Sequence, residues 1–264
     1  MRIIVKAGTS TLAYPTGHMN LRRMEELCLV LSDIRNAGHE LILVSSGAIG
    51  MGMGKLSLTS RPTDLAGKQA AAAVGQCELM YAYDRQFSEY GHTVGQILVT
   101  GSDIRDERRR DNFRATLFRL LEMGAIPVIN ENDTVATEEI VIGDNDTLAA
   151  IVASSIGAEL LVLLSDIDGL FTADPHRDPS ARRIPLVTEI TPELMALGGG
   201  SGSGLGTGGM ATKLTAGRIA MEAGCDMVIA NGEHPRILYD VLEGKDVGTR
   251  FCGRKESKGP PRKS

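Results

Sequence analysis

Cysteine is scarce in this 264-residue chain, and Cys28, Cys77, Cys225 and Cys252 show no paired spacing. That argues against a zinc ribbon or a disulfide framework and suits a reducing cytoplasm. Positive charge is not in excess: the formal net charge is -5. No global field is therefore available to hold a nucleic acid or an anionic membrane, and any anionic ligand must be met by local charge. A long apolar run is also missing. The longest stretch, Leu148 to Leu164, is interrupted by Ser154, Ser155, Gly157 and Glu159 and reads as helix, turn and buried strand rather than a membrane span. Met1-Arg2-Ile3-Ile4-Val5-Lys6 enters a strand pattern at once, without the apolar run of a signal peptide. His18, His39, His92, His176 and His234 stand apart from one another, which gives no triad and designates no metal ligand.

What is present alternates between two periodicities. Arg2 to Lys6, Leu41 to Val44, Val94 to Val99, Ala125 to Ile129, Leu160 to Leu164 and Met227 to Ala230 read as strands. Leu21, Met24, Leu27, Leu31 and Ile34 recur at helical steps between an Asn20 cap and Gly38. Helical patterns also cover Asp64 to Tyr90, where Ala70 to Val74 would let backbones approach closely, and Met210 to Ala223. Apolar strands separated by helices predict an α/β fold with a parallel sheet covered on both faces. Thr134 to Ile142 reads as a small excursion, such as a hairpin, standing over a site. Gly198 to Gly209 reads as a mobile glycine-rich loop, and 252–264 as a disordered basic tail. The arginines at 105, 108, 109, 110 and 114 are interleaved with acids and read as a solvated helix face.

In an open parallel sheet, ligands bind beyond the carboxyl ends of the strands. Those ends are Lys6-Ala7-Gly8-Thr9-Ser10, Ser45-Ser46-Gly47-Ala48, Asn130-Glu131-Asn132-Asp133 and Ser165-Asp166. A lysine followed by Gly-Thr-Ser suits a transferring phosphoryl group, whose charge the ammonium neutralises while backbone N–H groups approach beside the glycine. Thr207, Gly208, Gly209, Met210, Ala211, Thr212 and Lys213 form a second such loop at a helix start. Standard nucleotide signatures do not apply. Gly204 to Gly209 satisfies G-x-G-x-x-G without a preceding strand, and around Gly54-Lys55 the P-loop pattern fails at Ile49 and Leu56. In Gly143-Asp144-Asn145-Asp146, Asn145 could cap the following helix, while the two acids could serve the helix dipole, Mg2+ or the positioning of a lysine. Acceptors at Asn130 to Asp133 would suit an ammonium, so the combination favours a small zwitterionic substrate.

Taken in order, these motifs, with Gly169-Leu170-Phe171-Thr172-Ala173-Asp174-Pro175, resemble those of the glutamate 5-kinases of the amino acid kinase superfamily, from about Arg2 to Phe251. The resemblance implies a three-layer αβα sandwich with a mainly parallel central sheet. It implies phosphorylation of the L-glutamate side-chain carboxylate by ATP with Mg2+, the first step of proline biosynthesis. Ser46, Asp133 and Asn145 match glutamate contacts. Lys6, Ser165, Asp166 and Thr207 to Lys213 match nucleotide contacts, with Lys6 and Lys213 flanking the phosphoryl group and Asp146 orienting them. Ser165 stands where the family has threonine, which keeps a hydroxyl. Feedback inhibition by proline, hand-over of the acyl phosphate to glutamate-5-semialdehyde dehydrogenase and a homo-oligomer are further expectations, with residues 1–251 as the kinase domain. Many members append a PUA domain, and nothing after Phe251 has the pattern to form one.

Two kinds of alternative remain open from the residues. Acetylglutamate, aspartate or UMP could be the acceptor in the same superfamily; Asp133 suits a free ammonium, which acetylglutamate and uridylate lack, while aspartate differs by one methylene. A non-catalytic amino-acid sensor is the other, and Lys6, Asp146 and Lys213 weigh against it.

Overall fold

The apolar runs assemble into one sheet in the computed structural model, which describes residues 1–14, 16, 18–136, 144–175, 178–198 and 209–253. Its strands are β1 (Arg2–Ala7), β2 (Glu40–Ser45), β3 (Val94–Val99), β4 (Ile126–Glu131), β5 (Leu160–Ser165), β6 (Leu186–Val187), β7 (Asp226–Asn231) and β8 (Thr249–Phe251). Their spatial order is β3-β4-β2-β1-β5-β7-β8-β6. All neighbours are parallel except β7 and β8. The strands on either side of β1 wind outward in opposite directions, which opens a crevice at its carboxyl end. The fold is the expected αβα sandwich. The pairs β6 and β8 escape the sequence reading because two or three residues carry too little periodicity to register.

Between the strands run α1 (Thr9–Leu12), α2 (Leu21–Asn36), α3 (Ala48–Lys55), α4 (Leu65–Glu89), α5 (Gly101–Arg105), α6 (Glu107–Glu122), α7 (Asn145–Ile156), α8 (Pro192–Ala196), α9 (Met210–Glu222) and α10 (Ile237–Leu242). Asn20 caps α2 through its side chain, as its position before the apolar repeat predicts, and Asp64 does the same for α4. At α7 the cap is Asp144, not Asn145, which stands one position inside the helix. The shift of one residue releases the Asn145 amide for other partners. The arginine-rich segment lies on α5 and α6, with Arg105, Arg108, Arg109 and Arg114 exposed.

Strand alternation divides the core into two layers. Ile4, Ile42, Val44, Ile129, Leu163 and Ile229 face α6, α7 and α9, whereas Ile3, Val5, Leu43, Val128, Val162 and Val228 face α2, α4 and α10. Each fully buried aliphatic of this kind contributes on the order of 1.5–3 kcal/mol of transfer free energy. Helices α3 and α4 touch backbone to backbone: a Cβ on Gly52 would overlap the Ala71 carbonyl, and one on Gly75 the Ala48 carbonyl. Among the described residues no helix is long and apolar enough to cross a membrane. Of the Thr134 to Ile142 excursion, Thr134 to Ala136 continue the turn after β4 and the rest lies outside the described residues, as do most of the 198–209 loop and the tail from 254.

Candidate active site

Lys6 follows Ile4 by two residues on β1, so its side chain leaves the sheet toward α7 and α9. Both helices begin at the same end of the sheet, α7 with Asn145-Asp146 and α9 with Met210-Ala211-Thr212-Lys213 in its first turn. The result is a buried charge cluster. Asp146, 1% exposed, has Oδ1 2.7 Å from Lys6 Nζ and accepts a hydrogen bond on Oδ2 from Lys213 Nζ at 3.0 Å. The Lys6 contact is a close ion pair, and among the described residues no donor meets hydrogen-bond geometry at Oδ1. Burial alone would raise the Asp146 carboxyl, but Lys6 and Lys213 outweigh it and hold the group below the usual carboxylate range.

Asp144 stands beside this cluster. Its Oδ1 accepts the Asp146 backbone N–H and its Oδ2 accepts from Thr212 Oγ1 at 3.0 Å. Burial, then the neighbouring Asp146, push its carboxyl upward. Two buried carboxylates and two ammoniums thus lie together where β1, α7 and α9 converge. Gly209 precedes α9 with no side-chain cap among the described residues, leaving N–H groups for an anion.

On the β2–β4 side, Asn145 Nδ2 donates to Ser45 O at 2.7 Å, Ser46 Oγ at 2.9 Å and Asn130 Oδ1 at 2.9 Å. Gly47, at φ 97°, turns the chain from Ser46 into α3, a left-handed conformation that favours glycine. Asp133 lies in the turn after β4, and burial raises its carboxyl against the opposing pull of Arg61. On the opposite side of β1, Ser165 Oγ donates to Asp166 Oδ1 at 3.1 Å. That pair lines a cavity of about 180 Å³ with Ser10, Thr11, Arg23, Asn231 and Glu233. A larger cavity of about 490 Å³ between α2, α3 and α4 contains none of the predicted site residues.

The structure therefore brings Lys6, Asp146 and Lys213 into direct contact, and Ser46 and Asn145 into direct contact. It sets Ser165 and Asp166 on the far side of β1. Thr207 and Gly208 lie outside the described residues. Arg23, Asn231 and Glu233 were not singled out by sequence: Arg23 is one charge on the polar face of α2, and Asn231 and Glu233, although just after the Met227 to Ala230 strand, belong to none of the motifs.

This fold and cluster define a class of phosphotransferase scaffold, and the similarities agree. The profile of the Amino acid kinase family matches residues 1–231, and the chain belongs to that family. It is 50% identical over 258 residues to a glutamate 5-kinase of Clostridium perfringens, with 96% of each chain covered. It is 52% identical over 260 residues to a glutamate 5-kinase of Listeria innocua, covering 97% of this chain and 94% of that one. Among solved structures, an isopentenyl phosphate kinase product complex of T. acidophilum shares the fold with a TM-score of 0.64 at 18% identity, covering 95% of this chain and 99% of that one.

Proposed function

We propose that the protein phosphorylates the side-chain carboxylate of L-glutamate with ATP, giving L-glutamyl 5-phosphate, in the cytoplasm and as the entry to proline biosynthesis. The observation that carries the reading is the buried Lys6–Asp146–Lys213 cluster at the β1 crevice, in a chain half identical to two glutamate 5-kinases. Glutamate's carboxylate has a reference pKa of about 4.3, so it reaches the site as an anionic nucleophile and needs no general base. The obstacle is bringing one anion against another.

The residues meet that obstacle by charge and placement. Lys6 and Lys213 neutralise the charge of the transferring phosphoryl group from two sides, and Asp146 holds both ammoniums in place. Ser46, Asp133 and Asn145 hold glutamate, with the Asp133 carboxylate suited to its ammonium. Ser165, Asp166 and Thr207 to Lys213 hold the nucleotide. No group of three or more His, Cys, Asp or Glu side chains is clustered as a metal cage among the described residues. Mg2+ would be held largely by nucleotide phosphates and water, with the Asp144 carboxylate, which accepts from Thr212 beside Asp146, able to take part; the ion would supply further neutralisation of phosphate charge. Residues 1–251 form the kinase domain, a reading supported by β8 closing onto β7. Proline as feedback inhibitor, delivery of the acyl phosphate to glutamate-5-semialdehyde dehydrogenase and a homo-oligomer belong to the same reading.

The test is ADP formation from Mg-ATP with glutamate, acetylglutamate, aspartate and uridylate in parallel, with hydroxylamine to trap an acyl phosphate. Glutamate-dependent ADP matched by hydroxamate supports the assignment. Turnover with another acceptor alone replaces the substrate, and glutamate binding without turnover replaces the enzyme by a sensor.

A further inference from the structure

Helix α4 carries Gln69, Gln76 and Tyr83 at every seventh position. In a helix of 3.6 residues per turn this places them on one stripe, about two turns apart. Each reaches a different piece of the β2–β4 side of the site. Gln69 Nε2 donates to Ala136 O at 3.2 Å, tying down the turn that bears Asp133. Gln76 Oε1 accepts from Asn130 Nδ2 at 2.8 Å. The Tyr83 hydroxyl is 2.9 Å from Ser45 Oγ, one residue before Ser46. The alternation of the strands explains the match: Ser45 follows Leu41 and Leu43, and Asn130 follows Ile126 and Val128, so both face the α4 layer.

The amide orientations are set by groups that can act in only one way. The Glu131 backbone N–H can only donate, and it donates to Asn130 Oδ1 at 2.9 Å. Asn130 must then turn Nδ2 toward Gln76, and Gln76 must answer with its oxygen. Ser45 O can only accept, which fixes Asn145 Nδ2 toward the strand ends. The Asn145 oxygen, with no donor among the described residues, is left as an acceptor for a ligand. The stripe is also rigid in depth, because Gly75, adjacent to Gln76, rests directly on the Ala48 carbonyl of α3.

We propose that the Gln69–Gln76–Tyr83 stripe of α4 is the positioning element of the acceptor subsite, with Gln76 orienting Asn130 and, through it, Asn145 and Ser46. The proposal rests on the reading of Ser46, Asp133 and Asn145 as acceptor contacts. It makes Gln76 a positioning residue whose effect falls on the acceptor and not on the nucleotide.

The experiment is steady-state kinetics of the full chain and its Gln76→Met, Gln76→Glu and Gln69→Leu variants, with glutamate and Mg-ATP varied separately and hydroxamate as the readout. Methionine keeps the length of the side chain and removes the acceptor. Gln76→Met raises the glutamate KM roughly tenfold, the scale of one buried donor left without its partner, and leaves the ATP KM unchanged. Gln76→Glu returns the glutamate KM to within about threefold of wild type, because a carboxylate oxygen accepts the same hydrogen bond. Gln69→Leu moves the glutamate KM in the same direction and carries the test if Gln76→Met does not fold. Equal rises in both KM values, or a Gln76→Glu variant as impaired as Gln76→Met, overturns the proposal. If wild type turns over a different acceptor, the glutamate reading fails, while the same comparison with that acceptor still decides the role of the stripe.

Discussion

Replacing Asp146 by asparagine keeps the shape of the side chain and removes its charge. Lys6 and Lys213, 7% and 6% exposed, then lose the carboxylate that contacts them at 2.7 and 3.0 Å. Removing one partner of a buried ion pair costs about 3–5 kcal/mol. The asparagine oxygen still accepts one hydrogen bond, which puts the loss near the lower end. At about 2 °C per kcal/mol for a domain of this size, ~3 kcal/mol lowers Tm by about 6 °C. The sign of the pH dependence follows from the lowered carboxyl of Asp146. Its stabilisation is fully present above the ordinary carboxylate value, about 3.9, and is lost as pH falls through the lowered folded value. The Tm gap between wild type and Asp146→Asn is therefore flat through neutral pH and closes only in acid. Mg-ATP brings negative charge to the two stranded ammoniums, so saturating nucleotide narrows the gap. Turnover falls by about 10²–10³, the scale of losing one preorganised electrostatic element. Calorimetric scans with and without Mg-ATP, together with hydroxamate kinetics, measure all three quantities. Wild-type Tm and wild-type kcat in the variant would refute the idea that Asp146 organises the two lysines.

On the proposed role of Lys213 at the phosphoryl group, Lys213→Ala lowers kcat far more than it raises the glutamate KM; an unchanged kcat removes it from the mechanism. Asp133→Asn separates binding from stability. Burial raises the Asp133 carboxyl in the folded state, so its favourable contribution is present below the ordinary carboxylate pKa and lost as pH rises through the folded value. The variant should match or exceed wild type in Tm at pH 7 while its glutamate KM rises, and a lower Tm at pH 7 contradicts this sign. Gly75→Ala forces a methyl into the Ala48 carbonyl and should cost about 2 kcal/mol or more as α3 and α4 separate, read as a lower denaturant midpoint. Among the cysteines, Cys77 is exposed, whereas Cys28 and Cys225 are buried and burial pushes both thiols up, Cys225 to about 12. A thiol reagent should modify Cys77 in the native protein and reach Cys28 and Cys225 only on unfolding.

The legible parts were those where several residues repeat one signal. The six longer strands and α2, α4 and α9 follow from runs of apolar residues with period two or near 3.6, and the strand ends that gather in the crevice follow from the parallel topology. Asn145 was misplaced by one position as a cap, since Asp144 and Asn145 are both good capping residues and only the backbone decides between them. Gln76 was invisible for a different reason. A single amide in an alanine-rich helix carries no meaning until its partner Asn130, fifty-four residues later, is brought against it by the sheet. The heptad repeat of Gln69, Gln76 and Tyr83 was the one available clue.

The parity of the strands assigns the two halves of the site to two different layers. Lys6 has the parity of Ile4 and meets Asp146 and Lys213 on the α7–α9 side, while Ser45 and Asn130 have the parity of Leu43 and Val128 and meet Tyr83 and Gln76 on the α4 side. The first residues of α7 bridge the two. Asn145 holds the ends of β2 and β4, and the next residue, Asp146, holds the lysines. On the proposed roles, one turn of helix thereby couples the placement of the acceptor to that of the two lysine ammoniums. A displacement at the start of α7 must disturb both, whereas a change on α4 reaches the acceptor side first. That asymmetry is why Gln76→Met is expected to act on glutamate alone and Asp146→Asn on turnover.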